Sequence, residues 1–413
     1  MEGVNLKFLV VGAGGQGAPC ASILSRDKDV SEIVLADVNL VLAKKVKDKI
    51  KSDKVIVKHV DAGKTSNLIK VAEGVDAIIN MTLPRFNSNI MNAALKSGAH
   101  YVDTALGEPI WTQLIEHQSL ELNDEYKEAN LTALIACGGS PGVTNVLARF
   151  ICDKLDRVGE IRFRFGGKPT EKPKDIVGAW DPGWCPEVAL QDYANDATVF
   201  ENGDYKTRPP FSSWEEYNFP DPVGPVLISF HSHEEPVTLP RFLGKGVRRV
   251  DFKYPIDTLA GALIKLGFAS SEPIEVGGVQ VAPMDVLMKL VRPPVNDFLV
   301  EDESTVKLPL EYAFAEVMEV EGEKSREKVT YKVTLIHQQT AEERLEMYRR
   351  FGTANIYVSI PAIVGAKMCI EGEADKGVIA PERLSPTEFL RRMTNMGAPM
   401  KFHEMVSKTV SVS

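Results

Sequence analysis

The sequence predicts an α/β fold: a doubly wound parallel sheet, then a β-rich region whose sheet is mostly antiparallel. Three observations predict it. A glycine-rich turn follows the first apolar run. Short apolar runs then alternate with helical segments as far as Cys137. Beyond Cys137 the chain changes to strands separated by long loops. Short apolar runs that do not alternate suit parallel strands buried on both faces, and their alternation with helices is the βαβ pattern.

Phe8–Val11 is the first strand, and Gly12, Gly14 and Gly17 follow it at the G-x-G-x-x-G spacing, with Gly15 and Gln16 between them. Gly12 permits the tight turn, Gly14 lets a pyrophosphate approach the backbone, and Gly17 lets the next helix pack on the sheet. The helix N-terminus then offers free N–H groups to phosphate oxygens. Asp37 stands twenty residues beyond Gly17, at the end of the run Ile33–Ala36. A carboxylate there accepts from the ribose hydroxyls of NAD and repels the 2′-phosphate of NADP, so NAD is the expected cofactor. The alternative is that Asp37 caps the helix beginning near Leu40.

Val55–Val60, Ala77–Asn80, His100–Asp103 and Leu131–Cys137 complete six expected strands. The helices between them are expected near residues 16–25, 40–51, 64–72, 87–97 and 109–129. An apolar helix follows the loop Gly138–Gly142. Two long loops, Gly166–Pro186 and Pro209–Pro225, have the length of binding loops or lids. Arg248–Tyr254 reads as a strand, and Ala313–Glu321 with Lys328–Gln338 reads as a long hairpin whose half-polar face suits a second subunit. The last part is helical: Asn355–Glu371, with small residues at Ala354, Ser359, Ala362, Gly365 and Ala366. A further helix is opened by a capping box at Ser385–Glu388.

The net charge of −9, with no basic block, argues against a nucleic-acid surface. Five scattered cysteines without a C-x-x-C pair argue against a structural zinc site or a disulfide framework. The apolar stretch Ile356–Ile370 is broken by Ser359, Pro361, Gly365 and Lys367, so no membrane span is expected. The first strand begins almost at once, leaving no room for a signal peptide, and a cytoplasmic location is expected.

Several segments together resemble the saccharopine dehydrogenase-like oxidoreductases: Val10–Gly17, Ile79–Pro84, Gly98–Thr104, Leu131–Ala133 through Ser140–Asn145, and Gly377–Glu382. The segment Glu235–Arg241 looks most like the lysine 6-dehydrogenase branch. The resemblance implies a Rossmann domain (residues 1–140), an inserted α+β substrate and dimerisation domain (141–352), and C-terminal helices returning to the Rossmann domain (353–413). It implies an enzyme that is a homodimer or higher homo-oligomer. The reaction implied is hydride transfer at the CH–NH group of a small amino acid or amine, through an imine. NAD-dependent oxidation of the lysine 6-dehydrogenase kind leads. Reductive condensation of an amine with an oxo-acid or semialdehyde is the alternative, and a non-catalytic dinucleotide-binding protein is a third. The chain departs from the saccharopine reductase pattern in having Ser140 for an acid, Phe165 for a cysteine and Lys253 for an arginine.

Asn80, Thr82, Leu83 and Pro84 follow the fourth strand at its carboxyl end, where ligands bind in such sheets, and are expected at the cofactor. Asp61, after the third strand, either meets the adenine or caps a helix. Tyr101, Asp103 and Thr104 end the fifth strand beside the expected nicotinamide. Asp103 is suited to move a proton or hold a cationic amine, or else caps the next helix. Arg249 and Lys253, four apart in a strand, share one face and suit a substrate carboxylate, and a desolvated Lys253 suits proton transfer. The alternative is a solvated edge strand. Arg241 is a weaker candidate. In His231-Ser232-His233-Glu234-Glu235 no third metal ligand is evident, so a surface or substrate-loop role is expected and no metal. Trp180 and Trp184 either close over a substrate or pack in a core.

Overall fold

A computed structural model of the chain describes residues 5–110, 114, 120–169, 179–291, 297–300, 312–337, 341–353 and 355–409. The first six strands are β1 (Leu6–Val11), β2 (Val30–Asp37), β3 (Val55–His59), β4 (Ala77–Asn80), β5 (His100–Asp103) and β6 (Thr132–Leu134). β6 is shorter than Leu131–Cys137 because Ala136 takes a positive φ of 56° and leaves the extended region. Of the helix expected at 109–129, Leu120–Glu128 is helical, and residues 111–113 and 115–119 lie outside the described residues.

The remaining strands are β7 (Arg157–Pro169), β8 (Ala197–Glu201), β9 (Asp204–Arg208), β10 (Glu215–Asn218), β11 (Pro225–Phe230), β12 (Arg249–Pro255), β13 (Ile274–Val276), β14 (Val279–Val281), β15 (Tyr312–Lys324), β16 (Glu327–His337), β17 (Gly377–Ile379) and β18 (His403–Lys408). Both expected long loops are shortened. Gly166–Pro169 extends β7, and Glu215–Asn218 pairs with β11; residues 170–178 lie outside the described residues.

The first sheet is seven-stranded and parallel, in the order β17-β6-β5-β4-β1-β2-β3. Its reversal of direction lies between β1 and β4, where a doubly wound sheet opens its ligand crevice. The seventh strand, β17, comes from the C-terminal part and pairs with β6 through Gly377↔Thr132 and Ile379↔Leu134. The helix Ser359–Ile370 is buried nearly all round, packed on β4, β5, β6 and the helix Gly17–Ser25. Gly365 makes this fit: a Cβ there would stand 2.4 Å from Leu134 and 3.0 Å from Cys137 Sγ. Of the small residues named above, Ala354 lies outside the described residues.

The second sheet runs β10-β11-β12-β7-β15-β16-β18, with β8 and β9 attached at β12. All its pairs are antiparallel except β12 with β7. One face is apolar: Phe163, Phe165, Phe252, Met318, Val320 and Val333 join the main core with the helix Val143–Cys152. β18 pairs with β16, so the C-terminal segment divides between the two sheets. The helix expected after Ser385 forms at Pro386–Asn395, but Ser385 makes no side-chain cap. Glu388 turns instead to Arg391 and Arg392. Among the described residues, no helix is long and apolar enough to cross a membrane.

Candidate active site

The glycine turn is built as the motif requires. Gly12 has a φ of +100°, and a Cβ there would stand 2.8 Å from the Met81 carbonyl. One on Gly17 would stand 1.8 Å from the Gly12 carbonyl. At Gly14 and Gly15 a Cβ would meet nothing within 4 Å, so the outer face of the turn is open. The helix Gly17–Ser25 starts at Gln16 with no side-chain cap, which leaves its amino end free for an anion. Ser359 donates to the Gln16 carbonyl at 2.9 Å, tying the turn to the C-terminal helix. An open cradle, a free helix amino end and close glycine packing together fit a dinucleotide pyrophosphate.

Asp37 does not cap the helix Leu40–Ile50; Asn39 does, accepting from Leu42 N–H at 3.0 Å. Asp37 accepts instead from Ala13 N–H at 2.7 Å and Asn39 N–H at 2.6 Å, joining the end of β2 to the glycine turn. Asp61, half-buried beyond β3, pairs with Lys64 and accepts from Gly63 N–H, and these contacts lower its pKa. Asn80 is buried at the end of β4. It donates to Asn87 and Tyr101 and accepts from Thr82 N–H and hydroxyl, so it shapes the turn through Leu83 into Pro84–Phe86. Thr104 follows β5, packed so closely that a Cβ on Gly138 would stand 2.9 Å from its carbonyl.

Val11, Asn80 and Asp103 are neighbours across β1, β4 and β5, which sets the glycine turn beside Asp103. Asp103 is buried, with Oδ1 accepting from Ala136 N–H at 2.6 Å and Oδ2 without a partner. Burial, reinforced by Glu234, raises its carboxyl to about 7. Tyr101, beside it, is also fully buried and its phenol is raised.

The segment His231–Glu235, expected at a surface or substrate loop, is buried against this strand end. Glu234 accepts from Leu106 N–H at 2.9 Å. Glu235 accepts from Ser140 at 3.0 Å and Thr144 at 2.6 Å, and also bonds His233 Nδ1. Ser140, which stands where the resemblance led an acid to be expected, thus donates to a carboxylate, that of Glu235, 95 residues further along the chain. Burial alone would lower the His233 pKa, but Glu235, Glu234 and Asp192 outweigh it and raise it to about 9. Burial also acts to raise the Glu235 pKa, but His233 and Thr144 hold it lowered, so the pair is an imidazolium and a carboxylate. Glu234 and Glu108 are each raised to about 7, by burial first, and Asp192 is raised well above its ordinary value. Glu108 Oε1 is buried without a partner.

His233, Glu234 and Glu235 bring one ligand atom each within 4.8 Å of one another, so the segment read as lacking a third metal-type ligand itself contains one. Their partners make them an ion-pair network instead. His233 stacks flat on Phe252 at 4.0 Å, and His231 on Tyr254 at 4.8 Å. That stacking fixes the face of β12 toward the cluster. Arg249 and Lys253 alternate with Phe252 and Tyr254, so they occupy the opposite face. There Arg249 pairs with Asp251 at 2.8 Å and Lys253 with Glu215 at 3.0 Å. The structure brings these two cations to each other's face but not to the cluster. Arg241 is exposed. Trp180 is buried in a satellite core, donating to Asp257, and Trp184 is exposed.

Residues 8–134 match the saccharopine dehydrogenase NADP binding domain, and residues 138–398 match the saccharopine dehydrogenase C-terminal domain. The chain belongs to the saccharopine dehydrogenase family. Carboxyaminopropylagmatine dehydrogenase of Synechocystis is 25% identical over 97% of this chain and 98% of that one. Carboxynorspermidine synthase of Vibrio cholerae is 24% identical over 95% of each. Among solved structures, apo saccharopine dehydrogenase (L-Glu forming) of Saccharomyces cerevisiae superposes with a TM-score of 0.65 at 14% identity, covering 98% of this chain and 100% of that one. Homospermidine synthase of Legionella pneumophila, in complex with NAD, gives 0.59 at 12% identity, covering 97% and 91%. This saccharopine dehydrogenase family member is an NAD(P)-dependent enzyme, in a family of amine and amino-acid oxidoreductases.

Proposed function

We propose that the chain reduces the imine formed between a polyamine-type amine and an oxo-acid or semialdehyde. The observation that carries this is the buried acidic cluster in which Glu108, Asp192, Glu234 and Glu235 face His233, with Asp103 beside Glu234. Buried carboxyls with raised pKa values bind a polycation well, because its ammonium groups replace the protons that burial forces on them. The curated relatives carry polyamine names, which supports condensation over the lysine 6-dehydrogenase expectation.

A bound nicotinamide supplies hydride to the imine carbon. The protein's residues do the rest. The amine attacks the carbonyl carbon and water leaves; His233, held protonated by Glu235, donates its proton to the neutral imine nitrogen as the carbon is reduced, giving a secondary amine, and regains a proton from solvent. Asp103 and Glu234 hold ammonium groups. The glycine turn holds the pyrophosphate, and Asp37 receives the adenosine ribose, which favours NAD over NADP. The apolar face of the second sheet is occupied by the core, so its charged face is the proposed contact between subunits of a homodimer. Five unpaired cysteines are in keeping with a reducing, cytoplasmic setting.

The test is oxidation of NADH or NADPH with diamines or agmatine, each paired with oxo-acids or semialdehydes, beside lysine with NAD alone. Turnover only in the paired reactions supports the proposal. NADH formation from lysine alone overturns it, and a strong NADPH preference overturns the reading of Asp37.

A further inference from the structure

A second buried carboxyl, that of Glu382, stands behind Glu235 in the hydrogen-bond network. It is fully buried on the short turn Pro381–Arg383, directly after β17. Its Oε2 accepts from Asn145 Nδ2 at 3.1 Å, and the same Nδ2 donates to Thr238 Oγ1 at 3.0 Å. Asn145 Oδ1 in turn accepts from Gly142 N–H at 3.0 Å. Asn145 is next to Thr144, which donates to Glu235, and Thr238 lies one turn beyond Glu235 on the helix Glu235–Phe242. Three elements thus meet at one carboxyl: the edge of the first sheet, the helix after the Gly138–Gly142 loop, and the helix that carries Glu235. The Arg149 guanidinium adds a bond to the Glu382 backbone carbonyl at 3.2 Å. Glu382 Oε1 is buried with no partner, and such an orphan in a packed interior calls for a reason. Burial raises the carboxyl to about 7, so below neutral pH it can tie these elements without adding a second charge beside Glu235.

We infer that Glu382 is a positioning residue for the proton-handling pair: through Asn145 and Thr238 it holds the Glu235 carboxylate against Ser140, Thr144 and His233. It acts through Glu235, not on the reacting atoms. The inference rests on the reading of His233 and Glu235 given above. His233 is faced by His231, Glu234 and Glu235 from its own segment, by Asp192 from the helix Pro186–Ala194, and by Glu108 from the turn after β5.

The experiment compares Glu382→Ala and Glu382→Gln in the full chain, by steady-state kinetics and by an imidazole titration of His233 with nitrogen-15 NMR. For Glu382→Ala, kcat falls at least about tenfold while the cofactor KM stays within about twofold. The His233 titration moves down by about one unit, since Glu235 is less firmly held. Gln has the shape and neutrality of the protonated acid and restores kcat to within about threefold. If Glu382→Ala does not fold, Asn145→Ala cuts the same tie and is expected to give the same losses. An unmoved His233 titration in the Ala variants overturns the inference, as does loss of kcat in the Gln variant equal to that in the Ala variant. If the wild-type enzyme turns over no amine, the functional proposal fails, and the titration still decides the role of Glu382.

Discussion

Replacing Glu235 with Gln removes the charge that keeps His233 protonated. With Glu235 present, His233 titrates at about 9; its ordinary value is 6.5. At pH 8 a group titrating near 9 is about nine-tenths protonated, whereas one titrating near 6.5 is about 3% protonated. Burial pulls His233 lower still, while Glu234 and Asp192 remain to pull it up, so the ordinary value is the working figure. Glu235→Gln is thus expected to lower kcat about 30-fold at pH 8, and much less near pH 6, where both proteins keep the proton. The amide oxygen can still accept from Ser140 and Thr144, which preserves the local packing. The assay is kcat against pH for both proteins, with the alkaline limb fitted. A Gln variant that keeps the alkaline limb near 9 and its kcat within about threefold at pH 8 would refute the pairing as the source of the proton.

The glycine turn separates two effects. Gly17→Ala forces a Cβ to 1.8 Å from the Gly12 carbonyl and is expected to lower Tm and abolish cofactor binding. Gly14→Ala meets no protein atom within 4 Å and is expected to leave Tm unchanged while weakening cofactor binding at least about tenfold, measured by fluorescence titration. Normal binding by Gly14→Ala would remove the pyrophosphate from this turn. Lys253→Met breaks a pair whose Glu215 partner is 42% exposed, so it is expected to cost only about 1 kcal/mol in chemical denaturation and to leave kcat/KM within about threefold. A hundredfold loss of activity would return Lys253 to the active site. For Asp103, the folded-state pKa of about 7 lies above the ordinary value of 3.8, so the folded state keeps a proton that the unfolded chain releases. Its contribution is present below about pH 4 and is lost as pH rises toward 7. Asp103→Asn is therefore expected to flatten the fall of Tm across that range. Parallel Tm curves for the two proteins would contradict the raised carboxyl.

Local features were readable in the chain and distant pairings were not. β1 to β5, the glycine turn and the helix Val143–Cys152 follow from apolar runs and glycine spacing, because each is decided within a few residues. β17 is three residues long and takes its meaning from pairing with β6, far away in sequence. The same holds for the acidic cluster: Glu234 meets Leu106, and Glu235 meets Ser140 and Thr144, across 91 to 128 residues. The segment expected at a surface or substrate loop is irregular at His231–His233, as a loop would be, but Glu235 begins a helix and the segment is buried. A clue existed in two adjacent acids beside two histidines in an otherwise apolar stretch. For Arg249 and Lys253, the period of two told which residues share a face but not which face meets the site. Ser385 has capping-box spacing, but Glu388 finds stronger partners in two arginines.

The central claim is reductive joining of an amine to a carbonyl carbon at the acidic cluster around His233. The most direct measurement is mass spectrometry of the product formed from a diamine, a semialdehyde and nicotinamide cofactor deuterated at C4. The account predicts a secondary amine with the mass of the two substrates less water plus two hydrogens, one of them deuterium on the former carbonyl carbon. No joined product, together with cofactor reduction by a single amine or amino acid alone, would contradict it.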